Sequence, residues 1–204
     1  ADPLVFGAAV AARTQRVQIG FAVVEMALHH PVRLAVQTAV LDNLSHGRLI
    51  VGTGRGSAYN EYEYIGFGLS MEQGLDMLSE AEDLLVKAWT GDDVHHNGKY
   101  WKVSFPTLRP RPYQKPHPPL VRACITEESL VEMAGIGRPA LIGIHTIDTL
   151  RHRLQLYKDT MVQAGIEEES VEKTLDETWC QRGLYLADTD DEAVDVAGHA
   201  LTRY

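Results

Sequence analysis

Three glycines and an arginine supply the first chemistry in the sequence. In the stretch Gly47 to Glu61, GRLIVGTGRGSAYNE, an apolar run from Leu49 to Val51 fits a buried strand, and Gly52, Gly54 and Gly56 then alternate around Thr53 and Arg55. Glycines let a backbone turn sharply or approach a ligand closely. The planar guanidinium of an arginine offers parallel donors to a phosphate. At the carboxyl end of a strand such a string can cradle an anion. The same string also fits a surface loop carrying one solvated arginine, and the choice between the two depends on the rest of the chain.

The glycine spacing is G-x-G-x-G and it leads into SAYNEYEY, not into an apolar-periodic helix. The dinucleotide-binding fingerprint therefore fails in both spacing and context. Nine histidines invite a metal reading. His29-His30 and His95-His96 are adjacent pairs with no further cysteine or carboxylate at ligand spacing, so no metal site is expected. Cys124 and Cys180 lie far apart in strand-like, apolar surroundings and read as reduced, buried thiols of a cytoplasmic protein. The formal net charge of −9, from 19 basic and 28 acidic residues, argues against nucleic acid or an anionic membrane surface as the main partner. No apolar run approaches the roughly 18 to 20 residues of a membrane helix.

These groups must be placed by regular elements, and the pattern of those elements is clear. With 204 residues and 45% hydrophobic content the chain can bury a substantial core. Residues 3 to about 14 read as a helix capped by Asp2 and opened by Pro3, with Leu4, Ala8 and Ala11 or Ala12 on one face. Val17, Ile19, Phe21 and Val23 form the bulky face of a strand, alternating with Gln18, Gly20, Ala22 and Val24. Pro31 starts a helix that Gly47 closes. After the glycine string and an aromatic, acidic segment from Tyr59 to Phe67, a long helix from about Glu72 to Trp89 carries Leu75, Leu78, Ala81, Leu85, Ala88 and Trp89.

Residues 92–118 read as an ordered excursion: an Asn97-Gly98 hairpin signal, then six of the nine prolines from Pro106 to Pro119. Three more strand-helix units follow: Leu120 to Cys124 with Glu127 to Ile136, Ala140 to Ile144 with Ile147 to Ala164, and a strand within Thr178 to Ala187 with a helix from about Asp190. Strand and helix alternate five times, which indicates parallel pairing with right-handed crossovers. An open doubly wound sheet and an eight-stranded barrel compete. The failed fingerprint counts against the first, and against the second stands a typical barrel length of about 250 residues. The chain opens abruptly at Ala1-Asp2-Pro3, is already helical by Pro3, and reads as part of something longer.

The string GFAVVEMALHHPVRLAVQTAVLDNLSHGRLIVGTGRGSAYNEYEYIGFG, Gly20 to Gly68, resembles the luciferase-like flavin-dependent monooxygenases, above all their bacterial luciferase (alkanal monooxygenase) alpha-subunit branch. The HPVR-A, LD-LS-GR and G-RG elements match in order and spacing, and the likeness continues through PHPPLV and GRPALIG to the last helix. The resemblance implies a (β/α)8 TIM barrel, with residues 1–204 as a single barrel domain that lacks the first two strands and the last one. It also implies a reduced flavin mononucleotide, FMN, at the carboxyl ends of the strands.

Three groups of positions match cofactor-binding positions of that family. Ala22-Val23 matches a dipeptide joined by a non-prolyl cis bond that bulges against the flavin ring, with Val23 in place of a smaller residue. Arg55 matches an arginine on the flavin phosphate. Thr126 and Ser129 match hydroxyl residues on the same phosphate, at a helix amino terminus suited to anions. Glu127 and Glu128 stand close to that site, and Ile125 replaces a glutamate. Gly54 stands where luciferase has a reactive cysteine, so no catalytic residue carries over. The implied activity is trapping of dioxygen as a C4a-peroxyflavin to oxidise a small apolar substrate, an aldehyde among the candidates, in a dimer supplied by a flavin reductase. The alternatives are a deazaflavin-dependent oxidoreductase on the same barrel and a non-catalytic flavin-binding or partner subunit.

Overall fold

The computed structural model of the protein describes residues 2–57, 60–143, 145–182 and 184–201. Ala58 and Tyr59 of the aromatic segment, Ile144 and Gly183 of the expected strands, and Tyr204 lie outside the described residues.

Helix α1 spans Pro3–Arg13, with the Asp2 carboxylate accepting from the backbone N–H groups of Leu4 and Val5. This is the expected cap, and it satisfies donors that no helical carbonyl can reach. The first strand comes in two pieces, β1 at Ile19–Gly20 and β2 at Val24–Glu25. A short 3-10 turn, Met26–Leu28, leads into α2, Pro31–Ser45, and then β3, Leu49–Gly54. Helix α3, Glu61–Gly66, is followed by α4, Met71–Thr90, whose amino end is a capping box between Ser70 and Gln73.

The hairpin of β4, Val94–Asn97, and β5, Lys102–Phe105, stands apart from the main sheet. Then come β6, Leu120–Cys124, α5, Glu127–Gly135, β7, Ala140–Ile142, α6, Ile147–Gln163, α7, Glu168–Asp176, β8, Trp179–Cys180, and α8, Asp190–Leu201.

The main sheet runs β1-β3-β6-β7-β8 with β2 also on β3, and every pairing is parallel. Since β1 and β2 are one interrupted strand, this is the five-unit portion of an incomplete (β/α)8 barrel. Register places Thr53 beside Arg122 and Arg122 beside Ala140, with Gly52 beside Val121 and Ala123 beside Leu141. The first row meets the covering helices, and the second faces the barrel interior.

Two hydrophobic clusters fill the space under the helices. One joins Leu4, Phe21, Leu34, Leu49, Val51, Leu84, Leu85 and Trp89; the other joins Cys124, Leu130, Met133, Ile142, Tyr157 and Met161. Between them lies a buried charge cluster. Glu82 accepts from Thr53 Oγ1 at 2.6 Å, from Arg122 Nη2 at 2.6 Å and from Arg138 Nη1 at 2.6 Å. Arg122 also reaches Glu132 at 2.7 Å. Both arginines are thus paired, as burial of charge requires.

Several expectations need correction. The strand expected to alternate from Val17 to Val24 changes face midway. Between the pairs Gly20↔Ile50 and Val24↔Thr53, residues 21–23 oppose only residues 51–52, so the first strand carries one extra residue. This is the count of a β-bulge. Phe21 and Val24 both enter the helix-side core, while Val23 turns to the other face. Val17 is exposed.

Leu75, expected in the buried stripe of α4, is exposed because it faces the barrel mouth; Ala164, the residue that ends α6, is exposed too. Cys124 is buried as expected, but Cys180 is exposed, because β8 is an edge strand with one neighbour. The Asn97-Gly98 signal introduces a longer loop, residues 98–101, closed by Gly98 N–H to Trp101 O at 2.9 Å. Among the described residues no helix is long and apolar enough to cross a membrane.

Candidate active site

At the carboxyl ends of β2, β3, β6 and β7 a cleft of about 540 Å³ opens on the inner face of the sheet. Its lining joins Ala22, Val23, Arg55, Thr126 and Ser129, so every position matched to a cofactor contact reaches one space. A second cleft, about 420 Å³, lies at the opposite end by Pro119 and Pro139. Barrel chemistry sits at carboxyl strand ends, so the first cleft is the candidate.

The glycines are placed differently from a simple loop. Gly52 and Gly54 belong to β3, and only Gly56 has a left-handed backbone, φ 79°. A Cβ on Gly52 would lie 1.7 Å from the Phe21 carbonyl oxygen, so the bulge of the neighbouring strand uses the room that this glycine leaves. Gly54 does the same for a side chain: its Cβ would fall 2.9 Å from Val23 Cγ2. The Ala22–Val23 peptide bond is cis. The larger Val23 therefore fits beside the smaller Gly54.

Arg55 follows directly after the strand. Its carbonyl accepts a 2.6 Å hydrogen bond from the hydroxyl of Tyr64, a fully buried ring of α3 packed under Gly74. Burial raises the Tyr64 phenol above its ordinary range, with Glu25 adding to the effect. Among the described residues the Arg55 guanidinium itself, exposed at the cleft, has no hydrogen bond or ion pair.

Across the cleft, Thr126 is the cap of α5, its hydroxyl accepting from Ser129 N–H at 3.3 Å. Ser129 Oγ lies 3.4 Å from the buried Cys124 thiol, which burial pushes up. Glu128 does not turn away from the helix start. Hydrogen bonds from its own backbone N–H and from the Thr126 hydroxyl hold its carboxyl below the usual range. Thr126 thus caps α5 in the structure.

The cleft includes residues that the sequence did not single out. Glu25, the last residue of β2, lines it with Ser57, Asn60 and Gln181. Leu75, Leu78, Ile125 and Leu141 make its apolar wall. The signal for Glu25 was its charge inside the apolar run VVEMAL. Among the described residues no group of three or more His, Cys, Asp or Glu converges on a metal position.

Residues 1–204, the whole chain, match the family described as luciferase-like monooxygenase. The chain belongs to that family. It is 34% identical over 119 residues to the oxygenase component of a flavin-dependent trigonelline monooxygenase of Acinetobacter baylyi, a match covering 58% of this chain and 33% of that protein. It is 32% identical over 172 residues to an F420-dependent glucose-6-phosphate dehydrogenase of Amycolatopsis mediterranei, covering 83% of this chain and 49% of that one. Among solved structures, the monooxygenase RslO1 of Streptomyces bottropensis superposes with a TM-score of 0.84 at 32% identity, over 99% of this chain and 60% of that one. The luciferase-like chain described here therefore spans a third to about half the length of these curated relatives.

Proposed function

We propose that the full-length protein is a reduced-FMN-dependent monooxygenase. The observation that carries the reading is convergence. An unpaired arginine from the β3 end, the α5 amino terminus with its two hydroxyl residues, and the Ala22–Val23 bulge share one cleft. Arg55, Thr126, Ser129 and the first N–H groups of α5 would hold the phosphate. Ala22 and Val23 would support the ring. Reduced flavin supplies dioxygen activation when bound, and the chain's part is to orient it and exclude water. The wall of Leu75, Leu78, Ile125 and Leu141 suits a small apolar substrate, an aldehyde included.

The relative with an F420 cofactor supports a deazaflavin alternative. Against it stands the charge around the proposed phosphate position: Glu25, Glu63, Glu127 and Glu128 surround Arg55 and the α5 start. A cofactor carrying carboxylates beyond its phosphate would be repelled by such a rim. Absorbance titration of the full-length protein with both cofactors separates the readings. FMN binding at least tenfold tighter is expected, and tighter F420 binding sinks the FMN assignment.

A flavin reductase is the proposed supplier, in line with a relative that is itself named an oxygenase component. We place the protein in the cytoplasm and residues 1–204 in one barrel domain. Exposed Val5 on α1 and Val40 and Leu44 on α2 border a shallow apolar groove that suits a dimer.

The deciding test is Arg55→Ala in the full-length protein. A hydrogen-bonded charge contributes about 1.5 to 3 kcal/mol, so FMN affinity should fall roughly ten- to hundredfold while riboflavin affinity stays unchanged. Equal loss for both ligands removes Arg55 from the phosphate. Rapid mixing of the reduced complex with oxygen should give a transient absorbance before the spectrum of oxidised flavin.

A further inference from the structure

Glu25 is the cross-strand neighbour of Gly54, and Arg55 is the first residue after β3. A carboxylate and a guanidinium so placed would ordinarily pair. Among the described residues no hydrogen bond or ion pair joins them, and the carboxylate is held by Asn60 instead. Its Nδ2 donates to Glu25 Oε1 at 3.1 Å and to Glu63 Oε2 at 2.8 Å. Its Oδ1 accepts from Ser57 N–H at 2.9 Å and from Ser57 Oγ at 3.3 Å. Both ends of the amide are thus committed, one to two carboxylates and the other to the loop that carries Arg55.

The backbone is arranged around this contact. Gly56 has φ 79°, and a Cβ there would lie 2.9 Å from Asn60 Oδ1 and 3.0 Å from Glu25 Cγ. The Tyr64 hydroxyl holds the Arg55 carbonyl from the other side. A primary amide carries two N–H donors, so Asn60 can hold two like-charged groups together where neither a carboxylate nor a hydroxyl could.

We propose that Asn60 is a positioning residue that holds the Glu25 carboxylate away from Arg55 and so keeps Arg55 free for the flavin phosphate. The inference rests on the phosphate reading above. Without Asn60, Glu25 turns to Arg55 and competes with the ligand for the same guanidinium donors.

The test uses full-length protein with FMN and riboflavin as probes. Asn60→Ala should weaken FMN binding about tenfold, equivalent to about 1.4 kcal/mol, and leave riboflavin binding unchanged. Adding Glu25→Gln to Asn60→Ala should restore FMN affinity to within about threefold of the parent, because a neutral amide no longer competes for the cation. Glu25→Gln alone should leave FMN binding no weaker than in the parent. A merely structural role for Asn60 would move both ligands together and would not be rescued by Glu25→Gln, and either result overturns the proposal. If Asn60→Ala does not fold, Asn60→Ser gives the same readout, since it keeps an acceptor for Ser57 but lacks the two N–H donors. Arg55→Ala run in parallel separates the two ideas. If Arg55→Ala is selective for FMN and the Asn60 variants are not, this proposal fails alone; if Arg55→Ala weakens both ligands equally, the phosphate reading fails first.

Discussion

Thr53 and Gly54 are consecutive residues of β3, and they face opposite environments. Thr53 points under the helices, fully buried, and donates to Glu82 in a cluster where Arg122 and Arg138 are also paired. Gly54 points into the cleft, beside Arg55, whose guanidinium has no partner among the described residues. The two faces handle charge by different rules. On the outer face charge is tolerated because each partner is present, and this ties β3, α4 and β6 together between two apolar clusters. On the inner face space is kept by small residues, and one cation is left available. Rigidity on one side of the sheet lets the other side stay open.

The largest expected effect falls where the inner face is most crowded. Gly52→Ala would place a Cβ on the Phe21 carbonyl, backbone against backbone, with no flexible side chain to yield. A loss above about 4 kcal/mol is expected, seen as little soluble protein or a collapsed thermal transition. An unchanged melt would mean that the bulge can flatten.

Next comes the outer face. Glu82→Ala leaves Arg122 and Arg138 without their shared partner, and breaking a buried pair in this way costs about 3–5 kcal/mol. For a chain of this size that lowers the melting temperature by roughly 6–20 °C. FMN affinity of the folded fraction should not change. Replacing Glu82 and Arg122 together by methionine should cost less than Glu82→Ala. If it costs more, the cluster stabilises the fold beyond its own internal pairing.

The contrast between faces also explains what the sequence could convey. The alternation of strand and helix was legible because apolar periodicity reports the outer face, which is the packed one. Arg55 stood out because glycines around an arginine are a local signal, and Thr126 and Ser129 stood out through the family resemblance; the structure brings all three to one cleft. The reversal of face at Val23 was not legible, since a bulge depends on register with β3 and a period-two pattern assumes none. Leu75 misled for a related reason: its spacing fits the stripe of α4, yet it faces the cleft at the barrel mouth and is exposed. Helix α7 was missed because EESVEKTLD carries only Val171 and Leu175 as apolar anchors in a charged segment. The contact of Glu25 with Asn60 joins β2 to the segment before α3, 35 residues apart, which no local motif encodes.

Gly54 and Val23 offer a milder way to probe the inner face. Gly54→Ala brings a Cβ to 2.9 Å from Val23 Cγ2, a side-chain atom that can give way. Overpacking of this kind costs about 1–3 kcal/mol, and Val23 can relieve it only by moving into the cleft. FMN and riboflavin should both bind more weakly, unlike the phosphate-selective loss at Arg55. Adding Val23→Ala should restore binding. Failure of that rescue would mean that the crowding is not between these two side chains.

The smallest effect belongs to the hairpin, which uses the outer-face rule at the surface. The Glu80 carboxylate is mostly covered and accepts from the backbone N–H groups of Lys99, Tyr100 and Trp101 and from His96. Burial pushes its carboxyl up, but the Trp101 N–H, His96 and the other two N–H groups together outweigh it, and the result lies below the ordinary value of 4.5. A carboxyl depressed in the folded state stabilises above its unfolded value and loses that contribution as pH falls through its folded one. Docking of the hairpin on α4 should therefore loosen below about pH 4.5 and hold above it. The observable is the fluorescence of Trp101, a buried residue beside the loop, followed from pH 6 to 3. Glu80→Gln removes the charge-assisted bonds, costs about 1–2 kcal/mol, and should abolish the acid step assigned to this loop. If the step survives in Glu80→Gln, another carboxylate controls it, and the hairpin does not follow the rule that keeps Glu82 and its arginines together.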